Sequence, residues 1–262
     1  MQIQKALVTG ASFGIGETFA RQIAAQKGDL VLVARSQDKL EKLAGELQSQ
    51  YGVKVQVISQ DLTEANAGQV IFDQVAGGPE TVDLLVNNAG FGDYGPLDER
   101  SLTKQLAMVQ LNVTVLVELT YLFLGVMKAR RFGAIVNVSS IAGYQALPYM
   151  SVYSATKAFV VNFSQAIWAE NQDTGVRILC LCPGPTESNF FENAEFPQSM
   201  KSSGNNYASA AEVVKETLSS LDKKDSTLVT GGISNQIIVN LPRLMPRDII
   251  ASLVEKQFRP KG

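Results

Sequence analysis

The chain has 262 residues, 45% of them hydrophobic and 18% charged, which suits one large α/β domain with a sizeable core and argues against disorder. Its net charge of −2 gives no electrostatic reason to expect a nucleic-acid partner. It has no histidine, which excludes Ser-His and Cys-His catalysis and any His-ligated zinc site; no metal is expected.

Ile3 to Val8 reads as a short buried strand, Thr9 to Gly16 as a glycine turn, and Glu17 to Lys27 as a helix with Phe19, Ile23 and Ala24 at helical spacing. A second strand, Leu30 to Ala34, leads to Ser36, the expected N-cap of a helix through Leu40, Leu43 and Leu47 that stops near Gly52. Strands follow at Val53 to Ile58, Val82 to Val86, Ala134 to Val138, Val176 to Leu181 and Thr227 to Thr230. Helices are expected at Thr63 to Ala76, within Leu102 to Arg130, at Tyr153 to Asn171 and at Ala208 to Leu221.

The strands are continuous apolar runs, as expected when helices cover both faces of a sheet. Right-handed crossovers then give an α/β fold, a doubly wound parallel sheet of about seven strands, Rossmann-like, over one domain of residues 1–262. Asn193 to Asn206, rich in Ser, Asn and Gly, reads as a flap over a site. The beginning of the chain carries no secretory pattern, and the longest apolar run, Val113 to Met127, reads as too short to cross a bilayer. Cys180 and Cys182, two apart on a strand, read as reduced core thiols. A soluble, cytoplasmic protein is expected.

The glycine turn, Thr9-Gly10-Ala11-Ser12-Phe13-Gly14-Ile15-Gly16, joins the first strand to the first helix. Glycines let the backbone turn tightly and approach a pyrophosphate, which a helix N-terminus attracts through its unpaired N–H groups. The turn read alone is equally a tight strand–helix connection. At the end of the second strand an acidic residue would hold a ribose 2′-hydroxyl, whereas an Arg accommodates a 2′-phosphate. Ala34 and Arg35 stand there, so NADP(H) is favoured over NAD(H).

Tyr153 and Lys157, four apart on a helix, share a face, so the ammonium can sit beside the phenol. A fixed positive charge favours the phenolate and turns a Tyr into an acid/base device. Such pairs also occur as a half-exposed Tyr beside a surface Lys. Ser140 stands thirteen residues upstream of Tyr153.

With these motifs in hand, the sequence resembles the short-chain dehydrogenase/reductase family over about residues 3–188. Gly10, Gly14 and Gly16 match its cofactor turn, with Ser12, Phe13 and Ile15 between them. Asp61 and Leu62 match the pair near the adenine, Asn87-Asn88-Ala89-Gly90 the motif after the fourth strand, and Pro183-Gly184 the turn near the nicotinamide, with Ser188 where the family often has Thr. Asn112, Ser140, Tyr153 and Lys157 match the catalytic tetrad. Phe13 departs from a slot that is often basic in NADP-preferring members.

The resemblance implies NADP(H) bound by Gly10, Ser12, Phe13, Gly14, Ile15, Gly16, Arg35, Asp61, Leu62, Asn88, Tyr153, Lys157, Pro183, Gly184 and Ser188. It implies hydride transfer between a carbonyl and an alcohol, with Tyr153 as proton donor or acceptor. Lys157 lowers the Tyr153 pKa and holds a ribose, Ser140 holds the substrate oxygen, and Asn112 supports a water chain. It also implies a homodimer or homotetramer formed through the helices at Leu102 to Arg130 and Tyr153 to Asn171.

Tyr144, Leu147, Tyr149, Met150, Phe190, Phe191 and Phe196 read equally as a pocket for an apolar substrate or as core. At the end of the chain, Ile249, Ile250, Leu253, Val254 and Phe258 form a helical stripe among an excess of basic residues. The preferred reading is a helix packed on the domain or on a partner subunit; peripheral attachment to an anionic membrane is the alternative, disfavoured because the basic excess is small. Two other functions compete with the enzyme: a non-catalytic NADP(H)-binding sensor or scaffold on the same fold, and an epimerase or dehydratase acting on a nucleotide sugar.

Overall fold

A computed structural model of the chain describes residues 1–76, 81–186, 190–196 and 207–259. Seven parallel strands, β1 (Lys5–Thr9), β2 (Asp29–Ala34), β3 (Val55–Ser59), β4 (Leu84–Asn87), β5 (Gly133–Val138), β6 (Val176–Cys182) and β7 (Thr227–Val229), stand in the order β3-β2-β1-β4-β5-β6-β7. β1 pairs with both β2 and β4, so the winding reverses between β1 and β4. A crevice opens at such a switch point, beyond the carboxyl ends of the strands.

The strands alternate their side chains between two buried layers. Val8, Leu32, Val86 and Val136 point one way, onto α1 (Gly14–Ala25), α2 (Gln37–Tyr51) and the helix before β7, Ala210–Ser220. Leu7, Val33, Leu85 and Ile135 point the other way, onto α3 (Ala67–Ala76), α5 (Val115–Ala129) and α6 (Ser151–Glu170). Both faces are dry, which is why the strands read as unbroken apolar runs.

α4 (Leu102–Val109) runs into α5 through a π-turn, Gln110–Thr114, in which the Val115 N–H donates to the Gln110 carbonyl. The widened turn carries Asn112, 1% exposed, into the protein. The helical run Leu102–Ala129 spans 28 residues. This corrects the reading of the apolar run as too short: by length and composition alone the helix could cross a membrane, because the π-turn continues α4 into α5. Leu119, Phe123 and Met127 are buried against the sheet.

Beyond β6 stand α7 (Phe190–Asn193), α8 (Ala210–Ser220), α9 (Ile233–Asn240), the single turn Leu241–Arg243 and α10 (Arg247–Phe258). The sequence reading had not separated α9 from α10. Leu241 through Pro246 breaks them, with prolines at 242 and 246. Cys180 and Cys182 are free, buried thiols, as expected.

Candidate active site

The glycine turn is shaped by contact. Gly10 takes φ +64°, and a side chain on it would meet the Ala89 backbone at 2.9 Å. One on Gly16 would lie 2.3 Å from the Gly10 carbonyl oxygen. Two polar groups fasten this turn across the switch point. The Asn88 amide donates to the carbonyls of Thr9 (2.9 Å) and Gly10 (3.3 Å), and the Thr9 hydroxyl accepts the N–H groups of Asn88 and Ala89 at 2.9 and 3.0 Å. Thr9 opened the motif, but this fastening role lay in a contact across 79 residues. Phe13 occupies the N-cap of α1 and makes no side-chain capping bond. The first turn of α1 therefore faces the crevice with its N–H groups uncapped by that residue.

One continuous cleft of about 1220 Å³ runs from this turn to the C-terminal helices. At its nucleotide-like end it is lined by Gly10, Ser12, Phe13, Gly14 and Ile15, by Arg35 and Ser36, by Asp61 and Leu62, and by Asn88. Burial acts against the Asp61 carboxylate, but two hydrogen bonds from Thr63 and the charge of Arg35 at 3.9 Å outweigh it and hold its pKa below the ordinary value. Ser36 does stand at the N-cap of α2, as expected, but its hydroxyl makes no capping bond and it lines the cleft instead.

The middle of the cleft brings together Ser140, Tyr153, Lys157, Pro183 and Gly184. Ser140 stands two residues beyond β5, and its Oγ accepts the Ala142 N–H at 3.1 Å, so it caps the turn Ile141–Tyr144. The same hydroxyl lies 3.5 Å from the Pro183 carbonyl oxygen, and both Ser140 and Tyr153 line the cleft. Burial pushes the phenol up to about 12, and the nearby Ser140 hydroxyl opposes that shift. Burial brings Lys157 down to about 8. Its ammonium donates to the Val138 carbonyl at 2.9 Å and lies 5.8 Å from the centre of the Tyr153 ring. Desolvation dominates the phenol, and the ammonium, turned to the end of β5, does not offset it.

Asn112 is near but engaged elsewhere. Its Oδ1 accepts the Phe91 N–H at 3.1 Å, and its Nδ2 donates to the Phe91 carbonyl at 3.0 Å and to Thr156 Oγ1 at 3.1 Å. A side chain on Gly90 would sit 2.9 Å from Asn112 Oδ1 and 3.5 Å from Lys157 Nζ, so that glycine keeps the space between them open. Ser188 lies outside the described residues, as do residues 197–206 of the flap predicted over Asn193 to Asn206 and the Phe191 side chain.

The far end is apolar. Leu147, Met150, Phe190 and Phe196 line it, and the Phe190 ring lies 5.2 Å from that of Tyr153. Tyr144 faces Cys182 and Tyr149 donates to Glu255 at 2.7 Å; neither lines the cleft. The sequence reading missed the opposite wall: Ile238, Leu241 and Met245, then Ile250 and Val254 of α10. The Tyr94 hydroxyl, donating to the Phe258 carbonyl at 2.5 Å, helps pin α10 there. The predicted stripe on that helix is thus split. Ile250 and Val254 are buried in the cleft wall, while Ile249 and Leu253 are 47% and 54% exposed.

At the rim, buried Asp93 holds Arg100, Lys104 and Gln105, and Glu195 pairs with the same Arg100 and Lys104 at 2.6 Å. Burial disfavours the Asp93 carboxylate, but the two cations keep its pKa below the ordinary value. This network ties the α7 segment to α4.

Residues 4–198 match the model of the short chain dehydrogenase family, and the chain belongs to that family. It is 36% identical over 184 residues, 68% of its length, to a very-long-chain 3-oxoacyl-CoA reductase of Anas platyrhynchos, of which the match covers 58%. It is 30% identical over 97% of its length to 17-beta-hydroxysteroid dehydrogenase type 3 of Rattus norvegicus, covering 80% of that protein. Among solved structures, a short-chain dehydrogenase from Sphingobium yanoikuyae in complex with NADPH superposes with a TM-score of 0.82 at 27% identity, covering 98% of this chain and 97% of that one. A 7beta-hydroxysteroid dehydrogenase gives 0.85 at 25% identity, covering 96% of each chain.

Proposed function

We propose that the chain is an NADP(H)-dependent oxidoreductase that interconverts a carbonyl and an alcohol on an apolar substrate by hydride transfer. The observation that carries this reading is the meeting of Ser140, buried Tyr153 and buried Lys157 in one cleft, where its glycine-turn end joins its apolar end.

The residues present fit a dinucleotide. The cradle at Gly10 and Gly16 is one a Cβ would fill, and the start of α1 offers N–H groups to a pyrophosphate. Gly14 and Ile15 would share that contact; Asp61, Leu62 and Asn88 would flank the adenosine half. Arg35, whose side chain is 77% exposed at the cleft edge, and the Ser36 hydroxyl would hold a 2′-phosphate, which supports NADP(H) over NAD(H). Pro183, Gly184 and Ser188 would border the nicotinamide, which when bound supplies or accepts the hydride.

Tyr153 gives its proton to the carbonyl oxygen in reduction and takes one from the alcohol in oxidation. It is protonated at neutrality, the state that proton donation in reduction requires. Ser140 donates a hydrogen bond to the same substrate oxygen, where negative charge develops. Lys157 would hold a ribose and, while protonated, make the phenol a better acid. Asn112 is a positioning residue that fixes the Phe91 backbone against α6, and the space left by Gly90 is where a water chain to Lys157 would run.

The apolar wall supports a hydrophobic substrate, as do the names of the oxoacyl and hydroxysteroid relatives. Residues 189–262 would select it. A homo-oligomer is proposed through α4, α5 and α6, where Leu106, Tyr121 and Phe159 are 60%, 78% and 42% exposed.

Fluorescence titration with NADPH and NADH, followed by addition of aldehydes and ketones, tests the reading. Tighter binding of NADPH and its oxidation by apolar ketones are expected. Failure of both nucleotides to bind would leave the glycine turn a mere turn and overturn the assignment.

A further inference from the structure

We propose that the chain docks on an anionic lipid surface through α9 and the turn after it, with the apolar mouth of the cleft against the bilayer. Ile233, Ile237 and Leu241 recur at four-residue spacing on one face and are 80%, 59% and 49% exposed; Leu244 follows at 84%. Large aliphatic side chains this exposed and this close together mark an interaction surface rather than ordinary scatter. The patch also runs into the cleft. Ile238, Leu241 and Leu253 are each more than a third exposed and each line the cavity.

Two observations choose the occupant. The stretch from Ser226 to Arg247 holds no carboxylate and two arginines, Arg243 and Arg247, so its charge matches an anionic surface. A second copy of the chain across a two-fold axis would set this positively charged stretch against its own copy, which like charges resist. A rigid protein on this surface would moreover close the mouth that Ile238, Leu241 and Leu253 form, whereas a bilayer can deliver an apolar solute into it. The docking surface differs from the one the sequence suggested: α10 turns Ile250 and Val254 into the cleft, and the lipid-facing side chains are those of α9 and its following turn. Substrate delivery rests on the oxidoreductase reading; the docking itself does not.

The test uses the full chain and sucrose-loaded vesicles of phosphatidylcholine with phosphatidylserine, sedimented together. Wild type is expected in the pellet. The Ile237→Glu/Leu244→Glu variant, altered at two exposed positions outside the cleft lining, is expected to lose about tenfold or more in vesicle partition. Its turnover of a water-soluble ketone without vesicles is expected to be unchanged, which shows that it folds. Wild type remaining in the supernatant, or a variant that pellets equally, overturns the proposal. So does sedimentation velocity in which the variant dissolves an oligomer while neither protein binds vesicles, since the surface is then a contact between copies. Variant-sensitive vesicle binding without any ketone turnover upholds docking and rejects the enzyme reading instead.

Discussion

At the glycine-turn end of the cleft, position is held by polar groups of fixed identity. Asn88 and Thr9 bind each other's backbones, and Gly10 and Gly16 are present because no side chain fits. At the other end, position is held by Leu147, Met150, Phe196, Ile250 and Val254, which pack without any pairing rule. The first arrangement tolerates few substitutions and suits a ligand that never changes. The second tolerates many of similar volume, and suits a pocket whose shape can be altered without disturbing the fold. Tyr153 belongs to both: its ring packs with Phe190, and it lines the cleft beside Ser140 and Lys157.

Substitutions can separate the two ends. The largest effect is expected for Lys157→Met, with kcat for carbonyl reduction falling by about 10³-fold. The same variant should melt a few degrees higher at neutral pH, because burial, which brings Lys157 down to about 8, makes its charge costly to the folded state. The sign follows from linkage: the unfolded chain keeps more protons on this Lys between about 8 and its ordinary value of 10.5, so wild-type stability gains from this group as pH rises through that window. Thermal melts of the two proteins check this, and a lower melting temperature for the Met variant would contradict it. Arg35→Ala should weaken NADPH about tenfold in a fluorescence titration and leave NADH unchanged, since one charge-assisted contact to a phosphate is removed. Val254→Trp should reduce kcat/KM severalfold for bulky ketones and spare small ones, with NADPH affinity unmoved. The smallest effect is in the pH profile. Carbonyl reduction should decline as pH rises past about 8, when Lys157 loses its proton, while alcohol oxidation climbs because Tyr153, at about 12, must give up its own.

The same contrast explains what could be read in the sequence. The strands and the glycine turn were legible because burial on both faces leaves unbroken apolar runs and because close backbone approach demands glycine. Ser140, Tyr153 and Lys157 were legible because their spacing is local. The ionisation of that pair was not: it depends on how completely the phenol is desolvated and on Lys157 finding the Val138 carbonyl, both consequences of packing. Nor was the use of Asn112, whose partners Phe91 and Thr156 lie 21 and 44 residues away. The wall formed by Met245, Ile250 and Val254 was hidden because an apolar residue on a helix looks alike whether it faces a core or a cleft.

One measurement joins the two regions: kcat/KM for NADPH-dependent reduction of a series of aliphatic ketones, by wild type and Tyr153→Phe side by side. For wild type the account predicts a rise of about fourfold per added methylene, from about 0.8 kcal/mol of burial each, until the cleft is filled. For Tyr153→Phe it predicts the same slope about 10³-fold lower, since only the proton donor is gone. Full turnover by the Phe variant would contradict the role of Tyr153, and a flat series in wild type would contradict the apolar pocket.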